Sequence, residues 1–176
     1  MSTLDNKSKF LVLITGQLTT AEFPTSDEFY FKYAYVYGSE WSQIAGLEEG
    51  LSSRCQRNSY SHHPISVALP IEATFTSTKP YGWPQVVISC YGTDTLGNDI
   101  IKGYGATHVP TMPGRSLIKI PLFVPEPSTH LQKFLGWITG KRPEFTDFRV
   151  VASSQGRLGM VTNGVGRRPT LKKNSI

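Results

Sequence analysis

The chain has 176 residues, enough for one domain with a real hydrophobic core and too few for two. Aromatic residues make up 11% of it, with 16 Gly and 12 Pro, a profile that favours strands and tight turns over a helical bundle. The net charge of +5 would suit nucleic acid or anionic lipid, but it is unevenly placed. Residues 149–176 carry Arg149, Arg157, Arg167, Arg168, Lys172 and Lys173 and no acid, whereas the first 148 residues are near neutral. A nucleic-acid partner is therefore not expected, because a folded basic face is what such binding needs.

Two strands open the chain. Phe10 to Gln17 is the first, and Phe29 to Tyr37 the second, with Phe29, Phe31, Tyr33, Tyr35 and Tyr37 on one face. Aromatics at period two fit sheet packing, so this face reads as core rather than as an exposed binding stripe, with the Tyr hydroxyls at the sheet margin. Ser52 to Pro64 carries Arg54, Arg57, Asn58, His62 and His63 without periodicity and reads as a loop. Ile65 to Phe75 alternates again, and its Pro70 requires an edge or a bulge. Gln85 to Tyr91 is apolar on both faces and is expected to be central.

Past the polar loop Tyr91 to Asp99, strands are expected at Ile100 to Val109, at Leu117 to Val124 with a bend at Pro121, and at Asp147 to Ala152. One helix is predicted from an N-cap at Ser128, with Leu131, Phe134, Leu135, Trp137 and Ile138 on its apolar face and Gly140 at its end. About seven strands with Pro- and Gly-rich turns predict a mainly β fold, an antiparallel sandwich with one short helix insert.

The residues offer no catalytic set. His62 and His63 are neighbours in a polar loop, His108 lies near a strand end and His130 in the predicted helix, and none has HExxH or CxxC spacing. Gly103-Tyr104-Gly105 sits in a strand without a following helix and cannot cradle phosphate, so its glycines suggest close approach or a bulge. A calcium site in a sandwich loop needs more carboxylates than Asp94 and Asp99, which read as turn-formers. Cys55 and Cys90 read as free thiols in a reducing compartment. The apolar stretch Phe10 to Ile14 is too short for a signal or a span, so a cytosolic chain is expected. No enzyme activity, cofactor or metal is expected.

A long ordered set of motifs nevertheless resembles a known family. It comprises Gly38-Ser39-Glu40-Trp41, Ala45-Gly46-Leu47-Glu48-Glu49-Gly50 and the run from Phe75 to Gln85 that contains Tyr81-Gly82-Trp83-Pro84. Tyr91-Gly92, Gly97-Asn98-Asp99, Gly103-Tyr104-Gly105, His108-Val109-Pro110, Pro113-Gly114-Arg115 and Phe123-Val124-Pro125-Glu126 continue it. Together they resemble the B9 domain family over about Phe10 to Arg157.

The resemblance implies a C2-like sandwich over residues 9–157. It also implies assembly with the other B9 domain proteins, including the Meckel syndrome type 1 protein, in the tectonic-like complex at the transition zone and basal body. A part in ciliogenesis, the ciliary diffusion barrier and Hedgehog signalling would follow. Tyr81-Gly82-Trp83-Pro84 then reads as a rigid corner packed on the core. Chains of this type resemble the sequence through Gln155-Gly156-Arg157 and continue into an apolar strand, where this chain has only Leu158, Met160, Val161 and Val165 among glycines and bases. Residues 158–176 are therefore expected to be a basic, disordered tail. Clustered bases beside a folded module leave weak contact with anionic membrane as the alternative to a solvated extension.

Overall fold

The structure is a computed structural model that describes residues 8–23, 28–57, 64–94, 96–124, residue 152 and the backbone of 170–172. Its strands in chain order are β1 (Phe10–Ala21), β2 (Glu28–Val36), β3 (Trp41–Gly46), β4 (Glu49–Leu51), β5 (Cys55–Gln56), β6 (Ile65–Ser77), β7 (Gln85–Thr93), β8 (Asp99–His108), β9 (Leu117–Lys119) and β10 (Thr170–Lys172). One sheet runs β3-β6-β1-β10-β9, and the other β4-β2-β7-β8 with β5 also on β2. The pairings between these strands are antiparallel, so the expected sandwich is what forms.

The period-two pattern explains the layering. In β6, Ile65, Val67, Leu69, Ile71, Ala73 and Phe75 are buried while Ser66, Ala68, Pro70 and Glu72 are exposed. The aromatic face of β2 meets them across the core: Phe29 and Phe31 are fully buried and stand edge to face at 5.5 Å. Tyr35 and Tyr37 both pack edge to face on Phe75, at 5.2 Å each. The Tyr35 hydroxyl does not reach the sheet margin as the alternation suggests. It is buried without a hydrogen-bond partner among the described residues, and desolvation pushes its ionisation well above the ordinary tyrosine value.

Strand β7 is central, flanked by β2 and β8, and buries both faces. Val86, Ile88 and Cys90 join the sandwich core. On the opposite face Val87 forms a second cluster with Ile101, Tyr104 and Ala152, against which Phe123 packs. Pro70 sits where β6 has β1 on one side and has passed the end of β3 on the other, so no ladder hydrogen bond needs its missing N–H. Beside it the register slips between Leu18 and Thr20, and Ala68 adopts a φ of 55°, which marks a bulge.

Two differences from the sequence reading stand out, and two of its elements are not described. β3 and β4 occupy residues to which the sequence assigned no element, and β5 lies inside the stretch Ser52 to Pro64 expected to be a loop. The predicted helix and most of the predicted strand Asp147 to Ala152 lie outside the described residues. Within 158–176, expected to be a tail, Thr170–Lys172 forms β10 between β1 and β9, because ladder pairing on both sides satisfies its backbone.

Candidate interaction surfaces

Three motif segments far apart in sequence converge at one end of the sandwich. Gly38 and Gly82 approach so closely that a Cβ on Gly82, whose φ is +71°, would lie 2.6 Å from the Gly38 Cα. The Gly38 N–H donates to the Gly82 carbonyl at 2.9 Å, which ties the turn before β3 to the turn before β7. The Trp41 indole donates to the Tyr81 carbonyl and the Trp83 indole to the Val109 carbonyl, each at 2.8 Å. Val109 N–H returns a bond to the Pro84 carbonyl at 3.0 Å. Glu40 and Lys79 add an ion pair at 3.2 Å on the exposed side. Trp83 thus packs as a corner residue on the core, as expected, while the Tyr81 ring points away from it and is 78% exposed.

The opposite end carries a polar cluster. Arg54 bonds Asp99 at 3.0 Å, lies 3.6 Å from Glu28 and sits over the Tyr30 ring, which is stacked on Tyr91. The Arg54 ionisation is raised, first by the hydrogen bond to Asp99 and then by its charge. Asp94 caps its own turn: its carboxylate accepts from the N–H groups of Leu96 and Asn98, both at 2.8 Å, and from the Asn98 amide. These bonds, led by that of the Asn98 backbone, hold Asp94 below the usual carboxylate range. Asp94 is a turn-former as expected, whereas Asp99, at the start of β8, is engaged by Arg54 and the Tyr30 hydroxyl from other elements.

No group of three His, Cys, Asp or Glu side chains that could hold a metal occurs among the described residues. His108 is exposed at the end of β8, and His62, His63 and His130 lie outside the described residues. Cys55 and Cys90 are free and buried, and burial pushes both thiols up. Among the described residues no helix is long and apolar enough to cross a membrane. The glycines of Gly103-Tyr104-Gly105 serve close approach. A Cβ on Gly105 would lie 2.7 Å from Ile120 and 2.8 Å from Leu122, and Tyr104 exchanges backbone hydrogen bonds with Phe123 across the gap.

What remains is exposed apolar surface that the sequence reading missed. Tyr81 and Met112 stand on neighbouring loops at the tryptophan end, 78% and 80% exposed. Ile44, Leu47 and Leu51 are 57%, 70% and 63% exposed along the β3–β4 side. The available signal was aliphatic residues in a stretch without clean alternation, which a core strand does not produce.

The comparisons agree with this architecture. The family described as "B9-C2: Ciliary basal body-associated, B9 protein" matches residues 12–167, ten residues beyond the Arg157 limit read from the motifs. The chain belongs to this family, and the family is C2-like and associated with the ciliary basal body. It is 51% identical to B9 domain-containing protein 1 of Mus musculus over 150 residues, covering 85% of the chain and 74% of the relative. The same-named protein of Drosophila melanogaster is 30% identical over 169 residues, with 90% and 70% covered. B9 domain-containing protein 2 of Mus musculus is 25% identical over 118 residues, with 65% and 64% covered. No solved structure matches the chain.

Proposed function

We propose that the chain is a non-catalytic structural subunit of an assembly at the ciliary base, built with other B9 domain proteins. The observation that carries this reading is the identity of about half to B9 domain-containing protein 1 over 85% of the chain, joined to motif residues that serve architecture. The indoles and glycines of those motifs are spent on turns, corners and close approaches, and what they leave outward is surface suited to protein contact. In finer terms the assembly is the tectonic-like complex at the transition zone, with the Meckel syndrome type 1 protein among its partners. Its roles there are in ciliogenesis, the ciliary diffusion barrier and Hedgehog signalling. The B9 domain is taken to span residues 9–157, and the basic segment 158–176 that follows lends β10 to its sheet.

A second reading, a peripheral lipid-binding module, draws on the basic residues of 158–176 and on the sandwich loops, where Tyr81 and Met112 are exposed. One experiment separates the two. The purified chain is run with B9 domain-containing protein 2 on size exclusion and, separately, floated with phosphatidylserine vesicles. Co-elution without flotation is the expected result. Salt-sensitive flotation without co-elution would replace the first reading with the second.

A further inference from the structure

The stretch Trp41–Leu51 does something the core does not require. Among the described residues β3 ends one sheet and β4 ends the other, and Leu47-Glu48 carries the chain between them, so this crossing closes one side of the sandwich. Two glycines fix the crossing. At Gly46, φ is +90° and a Cβ would lie 2.7 Å from the Ala73 Cα, so the backbone presses directly on β6. At Gly50 a Cβ would enter the Tyr33 ring, 2.8 Å from Cζ. The corner between them is held rigidly, yet the side chains it presents stay mostly in solvent: Leu47 is 70% exposed, Ile44 57% and Leu51 63%.

The backbone beside them is open too. β6 pairs with one side of β3, and among the described residues no strand pairs with the other. Gln43 on this edge gives its amide N–H to the Ala45 carbonyl, and its Oε1 is buried without a donor among the described residues. The register slips between Gln43 and Ala45, which turns Ile44 outward and breaks the flatness that indiscriminate edge-to-edge pairing needs. Glu48 lies at the end of this edge and Glu72 on β6 just past the last β3 pair, and neither makes an ion pair among the described residues. Two copies placed edge to edge would set these carboxylates against each other. Of the chain's own basic segment, Thr170–Lys172 is committed elsewhere, since β10 lies beyond β1 towards the opposite edge of this sheet.

We propose that the β3–β4 side is the assembly surface, and that it takes an extended segment of a second B9 domain, pairing on β3 with aliphatic residues against Ile44, Leu47 and Leu51 and basic residues beside Glu48 and Glu72. Main-chain pairing supplies affinity in such strand addition, and the side chains supply selection. The proposal rests on the assembly reading above and names the surface it uses.

The test is hydrogen exchange on the full chain, alone and mixed with purified B9 domain-containing protein 2, together with the affinities of Ile44→Asp, Leu47→Asp and Glu48→Lys. Slowed exchange over 41–51 is expected, with each variant binding about tenfold more weakly at an unchanged melting temperature. A complex that protects other segments and tolerates all three substitutions would overturn this surface and leave the assembly reading standing. The absence of any complex would overturn both. A self-paired dimer protected over 41–51 would overturn the choice of partner. Leu47 and Glu48 are exposed, so these variants fold even if Ile44→Asp does not.

Discussion

Trp41 and Trp83 meet edge to face, ring centres 5.0 Å apart and planes at 76°, and each indole N–H is bound to a carbonyl from another turn. The pair locks the β2–β3 turn, the β6–β7 turn and the end of β8 into one corner. Aromatic contact of this geometry contributes about 0.5–1.5 kcal/mol beyond area burial, and each indole bond about 1 kcal/mol.

Trp83→Ala is therefore expected to cost about 3 kcal/mol, the low end for truncating a large aromatic, because the ring is only partly buried. Trp83→Phe should keep most of the packing and lose about 1 kcal/mol with the hydrogen bond. Urea unfolding checks both. An unchanged midpoint for Trp83→Ala would mean that the ring serves a partner and not the fold.

The glycines give a graded prediction. Gly50→Ala must displace the Tyr33 ring and Gly46→Ala must move β6 backbone, whereas Gly97, at a φ of +83°, has nothing within 4 Å of where a methyl group would stand. Gly97→Ala is expected to cost only about 1 kcal/mol of backbone strain. Gly46→Ala should cost clearly more, read as a larger fall in melting temperature, and equal effects would show that the β3–β4 crossing is loose.

Asp94 makes the stability depend on pH in a defined direction. Its folded ionisation lies below the ordinary value, so its contribution is present above the unfolded value of about 3.9 and is lost as pH falls through the folded one. Asp94→Ala should melt lower than the parent at neutral pH, and the two curves should converge in acid. Parallel curves down to the acid limit would contradict the capping role. Millimolar calcium should leave the melting temperature unchanged, since Asp94 and Asp99 already hold protein donors.

Strand β9 joins its sheet only through β10 among the described residues. Removal of residues 168–176 should therefore expose edges on β1 and β9 and lower the melting temperature. An unchanged value would make this segment the dispensable tail that its composition suggests.

Much of the fold was legible because burial imposes alternation. β6 and the aromatic face of β2 could be placed by period two, and Gln85 to Tyr91 could be read as central because both its faces are apolar. β3 to β5 were illegible for the opposite reason: Ser42, Ile44 and Ala45 sit on an edge strand with a bulge, where neither face has to be apolar. The corner was half legible. A Gly and a Pro between two aromatics signalled a turn, but nothing local could show that Trp83 would turn inward against Trp41 while Tyr81 turned out. The exposed Ile44 and Leu47 carry no pattern of their own, and only the placement of the strand cores around them shows them to be spare.

The central claim, that the chain works by assembly at the ciliary base, is tested most directly in mouse cells lacking their own B9 domain-containing protein 1. A tagged copy of the chain is introduced, and its position and the fraction of ciliated cells are scored. The account predicts accumulation at the base of the cilium and restored ciliation, with Leu47→Asp folded and expressed but diffuse. A parent chain that is folded and expressed yet stays diffuse, in cells that remain unciliated, would contradict it.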